Sequence, residues 1–279
     1  MYTIRALTQS EMHLPIDWAA AEGWNPGRHD GECFFGADPN GFLVGLLDDK
    51  PIATISVVRY GLSFGFLGFY IVDSAFRGQG YGIKIWSTGL AHLEGRVVGL
   101  DGVVDQQENY CKSGFVLAYR NLRYEGAARA SGRRDSRIVA IASLPLESVV
   151  GYDRALFPEE RGTFIRCWIR QPEHVALGYL DDGRMQGYGV VRPCREAFKV
   201  GPLLADRPGI ARSLLDALQN SIPPGATIYL DTPELNSAAV ALAEEQGMHI
   251  AFETARMYRG PAPQLALDRI FGVTTFELG

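Results

Sequence analysis

Apolar and polar positions change their spacing along the chain, and these changes predict its elements. A run of apolar residues from 67 to 72 is typical of a buried strand, and a glycine-rich segment follows it. Beyond the glycines, apolar side chains recur at intervals of three and four, which predicts an amphipathic helix. These apolar positions are Ile83, Trp86, Leu90 and Leu93. The pattern therefore predicts a strand, a glycine loop and a helix in direct succession.

The loop between this strand and this helix is suited to binding an anion. It reads Arg77-Gly78-Gln79-Gly80-Tyr81-Gly82. Glycines leave space around the backbone, and the first helical turn offers unpaired N–H groups at the positive end of the helix dipole. A pyrophosphate is the anion that fits best. An ordinary glycine-rich turn is the alternative without a ligand.

The spacing of the loop excludes two common phosphate-binding patterns. A P-loop ends in Gly-Lys-Ser/Thr, but here Gly82 is followed by Ile83. A dinucleotide fingerprint needs G-x-G-x-x-G, whereas this loop reads G-x-G-x-G, and no Asp or Glu ends an obvious second strand about 20 positions later. A third pattern, Arg/Gln-x-x-Gly-x-Gly/Ala, is filled by Arg77, Gly80 and Gly82. Here the chain resembles the GNAT superfamily of acyl-CoA-dependent N-acyltransferases.

The resemblance implies an acyl-CoA co-substrate, acetyl-CoA by default, and no metal. It also implies that the loop binds the pyrophosphate while the preceding strand pairs with the pantetheine arm. The cofactor-binding residues implied in this way are Tyr70, Ile71, Val72, Arg77, Gly78, Gln79, Gly80, Tyr81 and Gly82.

A second segment, Asn109-Tyr110-Cys111-Lys112-Ser113-Gly114-Phe115, resembles the Tyr-x-x-x-Gly-Phe element of the same family. The resemblance makes Tyr110 the general acid, because the family's acid stands five residues before the Phe. A packing tyrosine on an amphipathic helix is the alternative. The family often has an Asn seven residues before this tyrosine, and this chain has Val103 there.

The succession of strand, loop and helix described above repeats in the second half of the chain. Residues 198–219 repeat the strand, loop and helix, and Gly247-Met248 repeats Gly114-Phe115 at a similar offset. We therefore expect the fold class α/β (α+β), with two tandem GNAT-like domains. Each has a mixed, largely antiparallel central sheet flanked by helices. Expected boundaries are 1–126 for the catalytic, acetyl-CoA-binding domain, 127–136 for a linker and 137–279 for the C-terminal domain.

The second copy lacks the residues that acyl-CoA binding and acyl transfer would need. Asp206 stands at the position of Arg77, which places a negative charge where phosphate would arrive. Pro208 removes an N–H donor from the loop, and Ala243 stands at the position of Tyr110. We therefore expect the C-terminal domain to be degenerate for acyl-CoA and to cover the first domain's cleft or to help bind the substrate.

The amine acceptor is expected to contact the segment around residues 22–33. Its polar and aromatic residues indicate a functional loop; the candidate substrate-binding residues are Trp24, Asn25, His29 and Asp30. His29 is a candidate general base because its unperturbed pKa, about 6.5, lies near neutral pH. A solvated loop histidine is the alternative. The expected function is N-acetylation of a small-molecule or amino-acid-like amine. A non-catalytic acyl-CoA sensor or an interaction module is the competing interpretation.

Composition narrows the remaining classes of partner and cellular location. The 279 residues carry a formal net charge of −5, which mildly favours a cationic acceptor, and no basic run with interleaved aromatics indicates nucleic acid. No apolar stretch reaches the roughly 18 residues of a membrane span, and the N-terminus has no signal-peptide pattern. The four cysteines form no C-x-x-C, so we expect neither a zinc site nor a disulfide framework. A cytoplasmic location is expected, and the oligomeric state is left open.

Overall fold

The first half of the chain contains six strands and four α-helices. The structure is a computed structural model, and it describes residues 1–132 and 135–279. The strands are β1 (Tyr2–Ala6), β2 (Phe42–Leu47), β3 (Lys50–Tyr60), β4 (Phe64–Val72), β5 (Val97–Val103) and β6 (Val116–Ala127). The helices are α1 (His13–Ala21), α2 (Asp30–Ala37), α3 (Tyr81–His92) and α4 (Gln107–Lys112). The predicted strand, loop and helix are thus β4, the glycine segment and α3.

The second half repeats this order with small differences. Its strands are β7 (Ile138–Ala140), β8 (Val175–Asp181), β9 (Arg184–Pro193), β10 (Phe198–Ala205), β11 (Thr227–Pro233), β12 (His249–Arg259) and β13 (Ile270–Gly272). Its helices are α5 (Leu146–Arg154), α6 (Gly162–Trp168), α7 (Pro208–Gln219) and α8 (Ser237–Glu245). Within residues 1–132 and 135–279, no helix combines the length and the hydropathy that a membrane crossing needs.

The strands join into one 13-stranded sheet in which the two halves exchange a strand. Its order is β1-β2-β3-β4-β5-β12-β6-β11-β10-β9-β8-β7, with β13 beside β10. The pairs β4–β5 and β10–β11 are parallel and the other pairs are antiparallel. β12 of the second half pairs with β5 of the first, and β6 of the first half pairs with β11 of the second. The predicted mixed, largely antiparallel sheet is confirmed.

Two reciprocal ion pairs stabilise the exchanged strands. Arg256 of β12 donates to both carboxylate oxygens of Asp101 in β5, at 2.7 and 2.6 Å. Arg123 of β6 donates to both carboxylate oxygens of Asp231 in β11, at 2.7 Å each. All four side chains are buried. Removing one partner of such a buried pair typically costs about 3–5 kcal/mol, so each half depends on a strand of the other.

The strand exchange crosses the predicted domain boundary. β6 lies within the predicted first domain in sequence, yet it pairs with two strands from the second half. Residues 133 and 134 of the predicted 127–136 linker lie outside the described residues. The boundaries therefore stay a prediction about the sequence, while the sheet itself is shared.

A disulfide joins the two halves and overturns the expectation that there is none. Cys33 of α2 and Cys167 of α6 are bonded, and 134 residues separate them. Gly114 and Gly247, which match in the sequence repeat, are 133 residues apart, a nearly equal separation. The two cysteines therefore occupy equivalent positions of the two halves and meet where α2 packs against α6. Spacing along the chain carries no signal for such a contact.

Candidate functional site

A cleft opens where the parallel strands β4 and β5 separate. They pair from Phe64 and Val97 as far as Leu67 and Leu100, whereas β4 continues to Val72 and β5 to Val103. The resulting wedge has a volume of about 780 Å³ and is lined by the far ends of both strands. Beyond the last pair, the backbone of β4 is left free on the side that faces the cleft.

A bulge in β4 shapes the narrow end of this wedge. Thr54 in β3 lies opposite Ile71, whereas Ser56 lies opposite Gly68, so β4 carries one extra residue. Phe69 stands in this bulge with a φ of +45°, and its carbonyl accepts a hydrogen bond from Thr54 Oγ1 at 3.0 Å. A positive φ is uncommon for a phenylalanine, and strained backbone of this kind concentrates at functional sites.

The glycine loop closes the wide end of the wedge. Gly78 and Gly80 have φ values of +74° and +83°, and a Cβ at either position would meet nothing within 4 Å. Gly80 is the N-cap of α3, so the free N–H groups of the first turn follow it directly. Gly82 has another role, because a Cβ there would lie 2.6 Å from the Tyr70 hydroxyl. Gly78, Gly80 and Gly82 all line the cleft.

The other loop residues differ in their access to the cleft. Arg77 lines it; its Nε donates to the Val72 carbonyl at 2.8 Å, and its guanidinium forms an ion pair with Glu22. The Gln79 amide instead donates to the Ala75 carbonyl at 3.0 Å. Gln79 and Tyr81 are not among the residues that line the cleft. The cleft is thus bounded at this end by Arg77 and the glycines.

Tyr110 lines the same cleft from the β5 side. Its ring is buried, stacks on Trp86 at 5.6 Å between centroids, and lies directly over Gly102. Burial, with a smaller contribution from Tyr70, raises the pKa of Tyr110 to about 12. The hydroxyl therefore keeps its proton at neutral pH and is present in the cleft as a proton donor.

The predicted acceptor residues divide into two groups. Trp24 lines the cleft, whereas Asn25, His29 and Asp30 do not. His29 Nε2 lies 2.8 Å from a Glu173 carboxylate oxygen. Like His29, Asn25 and Asp30 contact residues of the second half. Asn25 Nδ2 donates to the Glu196 carbonyl at 2.8 Å, and the buried Asp30 carboxylate pairs with Arg192 at 2.9 Å. The structure therefore does not bring His29 to Tyr110.

Four residues from the second half complete the cleft, and the sequence analysis missed all of them. They are Phe252 and Thr254 of β12, and Phe276 and Glu277 of the C-terminal segment. β12 reaches the first half only because the last strands are exchanged, and Thr254 lies opposite Val103 of β5. The backbone carbonyl of Glu277 packs against Gly68 of β4. No local spacing indicates these contacts.

Comparison with known proteins agrees with this geometry. Residues 5–115 match the profile of the acetyltransferase (GNAT) family, and residues 149–272 match that of an acetyltransferase (GNAT) domain. Holothin acyltransferase from Pseudoalteromonas sp. (strain SANK 73390) is 30% identical over 279 residues, which cover 100% of this chain and 95% of that protein. This chain belongs to the GNAT family.

Solved structures support the same tandem GNAT architecture. A candidate acetyltransferase from Pyrococcus horikoshii superimposes with a TM-score of 0.85 at 22% identity, covering 100% of this chain and 96% of that one. A tandem GNAT protein from the clavulanic acid biosynthesis pathway gives a TM-score of 0.65 at 13% identity, covering 94% and 100%. The predicted pair of GNAT-like folds is therefore confirmed.

In the second GNAT half, the equivalent wedge is filled by the chain itself. β10 and β11 pair from Phe198 and Ile228 to Val200 and Leu230, and beyond that point β13 pairs with β10. β13 thus lies along β10 where an extended ligand would pair. The Asp206 carboxylate, at the start of α7, accepts hydrogen bonds from the Tyr152 hydroxyl at 2.6 Å and from Arg269 Nε at 3.0 Å.

Proposed function

We propose that this protein is an acyl-CoA-dependent N-acyltransferase that moves an acetyl group from acetyl-CoA to the amine of a small molecule. The observation that carries the proposal is one cleft that joins three features. These are the glycine loop at its wide end, the free edge of β4 along its wall, and the protonated Tyr110 near the point where β4 and β5 diverge. A pyrophosphate, an extended arm and a leaving thiolate need these features in this order.

The proposed reaction is a direct transfer without a covalent enzyme intermediate. The pyrophosphate binds N–H groups after Gly80, and the pantetheine arm pairs with β4 between Val72 and the bulge. The uncharged amine nitrogen forms a bond to the thioester carbon and loses one proton to a base in the cleft, while a backbone N–H near Ile71 stabilises the oxyanion. When the carbon–sulfur bond breaks, Tyr110 donates its proton to the departing thiolate.

The second half is proposed to serve the acceptor rather than a second acyl-CoA. β13 lies along β10, and Asp206 places a carboxylate at the start of α7. Both features oppose an acyl-CoA there, because β13 occupies the pairing edge and Asp206, which forms an ion pair with Arg269, offers no positive charge to phosphate. Phe252, Thr254 and the C-terminal segment instead extend into the first-half cleft.

The competing interpretation is an acyl-CoA sensor that does not turn over, and Val103 in place of the family's Asn favours it. The name of the relative holothin acyltransferase supports catalysis. An acceptor screen separates the two: the full chain is incubated with acetyl-CoA and a panel of amines and amino acids, and free thiol is measured. We expect thiol release matched by N-acetylated product in mass spectrometry. Tight acetyl-CoA binding without release for any amine would favour the sensor.

A further inference from the structure

The carboxylate of Glu277 is buried in the cleft without a partner. Glu277 is 4% exposed and lines the cleft. Its backbone N–H donates to Thr275 Oγ1 at 2.9 Å, whereas its carboxylate makes no hydrogen bond or ion pair with any residue of 1–132 or 135–279. A carboxylate in a cleft with no hydrogen-bond partner from the protein is available to bind a ligand.

The cations near Glu277 already have partners of their own. Arg123 is held by Asp231, Arg192 by Asp30, and Lys199 Nζ donates to the Asn25 carbonyl at 3.0 Å. The negative charge of Glu277 raises the pKa of each of these three cations, but other groups and burial affect those pKa values more strongly. The cations therefore lie near Glu277 without forming an ion pair with it. The carboxylate is therefore left available for a ligand.

Glu277 lies at the end of the wedge where the thioester would be. The glycine loop follows Val72, so an extended arm that starts at the loop runs back along β4 toward the bulge at Phe69. The Glu277 carbonyl packs against Gly68, the next residue in that direction. Glu277 is thus at the narrow end of the cleft, where an acceptor must meet the acyl group.

Aromatic side chains and one free hydroxyl line the cleft together with Glu277. The Phe252 and Phe276 rings lie 6.5 Å apart, and Trp24 lines the same cleft. The Arg123 guanidinium lies 4.7 Å from the Phe276 centroid and donates to the Trp24 carbonyl at 3.0 Å, which holds these aromatics together. Within the described residues, the buried Thr254 Oγ1 has no hydrogen-bond partner and lies on the same cleft wall.

The charges on the cleft wall favour a cationic acceptor. Four acidic residues line the cleft, namely Glu22, Asp101, Asp105 and Glu277, and two of them are neutralised by ion pairs with Arg77 and Arg256. Asp105 and Glu277 have no ion-pair partner among the described residues, and Arg77 is the cation among the residues that line the cleft. The lining therefore carries a net negative charge, although the nearby Lys199 offsets part of the charge of Glu277. An acceptor with its own carboxylate would be repelled there, whereas an ammonium group would be attracted.

We propose that Glu277 binds the acceptor's amino group and accepts the proton it loses, and that the acceptor is a small primary amine on an aromatic body without a carboxylate. This inference rests on the proposed function. The ammonium form is attracted and releases one proton to water before attack. As the nitrogen–carbon bond forms, the second proton passes to Glu277, and Tyr110 protonates the departing thiolate. Exchange with water then restores both groups.

The test uses phenethylamine as the acceptor and phenylalanine as its carboxylate-bearing counterpart. We expect the full chain to acetylate phenethylamine with a kcat/KM at least about tenfold above that for phenylalanine. We expect Glu277→Gln to lower kcat/KM for phenethylamine about 100-fold, the usual scale for losing a general base. The affinity for acetyl-CoA should not fall, because Glu277 lies at the opposite end of the cleft from the glycine loop.

The matched control is Glu253→Gln, which removes a carboxylate from β12 next to Thr254. Glu253 pairs with Arg120 at 3.0 Å and does not line the cleft, so its variant should keep the parental rate. A parental rate for Glu277→Gln, or equal losses in both variants, would overturn the role of Glu277. A preference for phenylalanine, or acetylation of other amines but not phenethylamine, would overturn the acceptor class. No acetylation of any amine would instead count against the proposed function itself.

Discussion

Replacing Gly80 with valine is expected to weaken acetyl-CoA binding strongly. Gly80 lines the cleft, caps α3 and has a φ of +83°, and the position of its missing Cβ faces empty space. A valine side chain would fill the space through which phosphate approaches the N–H groups. Each lost hydrogen bond to a charged group costs about 1.5–3 kcal/mol, so losing two weakens binding by at least about 100-fold. Isothermal titration calorimetry measures this change.

Gly95→Val is the matched control for this variant. Gly95 has a φ of +80°, also has nothing within 4 Å of its Cβ position, and does not line the cleft. The two variants therefore introduce similar backbone strain, and only one obstructs the loop. We expect Gly95→Val to bind acetyl-CoA as tightly as the parent. Parental affinity in Gly80→Val would show that the loop does not bind the pyrophosphate.

Replacing Tyr110 with phenylalanine is expected to slow acetyl transfer about 100-fold while leaving acetyl-CoA affinity unchanged. Losing a general acid typically costs about 10²–10⁴ in rate, and the coenzyme A thiolate is a tolerable leaving group, which places the effect at the lower end. The ring makes the contacts with Trp86 and Gly102, so phenylalanine keeps the packing. Single-turnover rates with saturating acetyl-CoA measure the chemical step.

Tyr124→Phe serves as the control for this substitution. Tyr124 is buried, burial likewise raises the pKa of its hydroxyl, and it packs in the core of the second half outside the cleft. Losing its hydroxyl should leave the transfer rate unchanged. A parental rate in Tyr110→Phe would exclude Tyr110 from the mechanism, and the thiolate would then take its proton from water or another residue.

The local features of this protein could be predicted from its sequence. The strand, loop and helix around Gly80 are consecutive in the chain, and hydrophobic spacing and glycine positions encode them directly. The tandem architecture was also predictable, because the repeat preserves the order of elements. Tyr110 was placed by its distance from Phe115 within one short segment, and the structure brings it to the same cleft as the glycines.

The acceptor side could not be predicted, because it depends on contacts between distant parts of the chain. The strand exchange brings Thr254 opposite Val103, and the C-terminal segment brings Glu277 to Gly68. The role of His29 stays a prediction: its segment looked suited to a substrate, and its ring pairs with Glu173 of the other half. The disulfide of Cys33 has the same origin, since only the packing of α2 on α6 brings its partner near.

The central claim is that acyl-CoA binds in the wedge between β4 and β5 and not in the wedge between β10 and β11. The stoichiometry of acetyl-CoA binding tests this claim most directly. The full chain is used, because each half depends on a strand of the other. Calorimetric titration with acetyl-CoA should give one site per chain. Two sites per chain, or no binding at millimolar acetyl-CoA, would contradict the account.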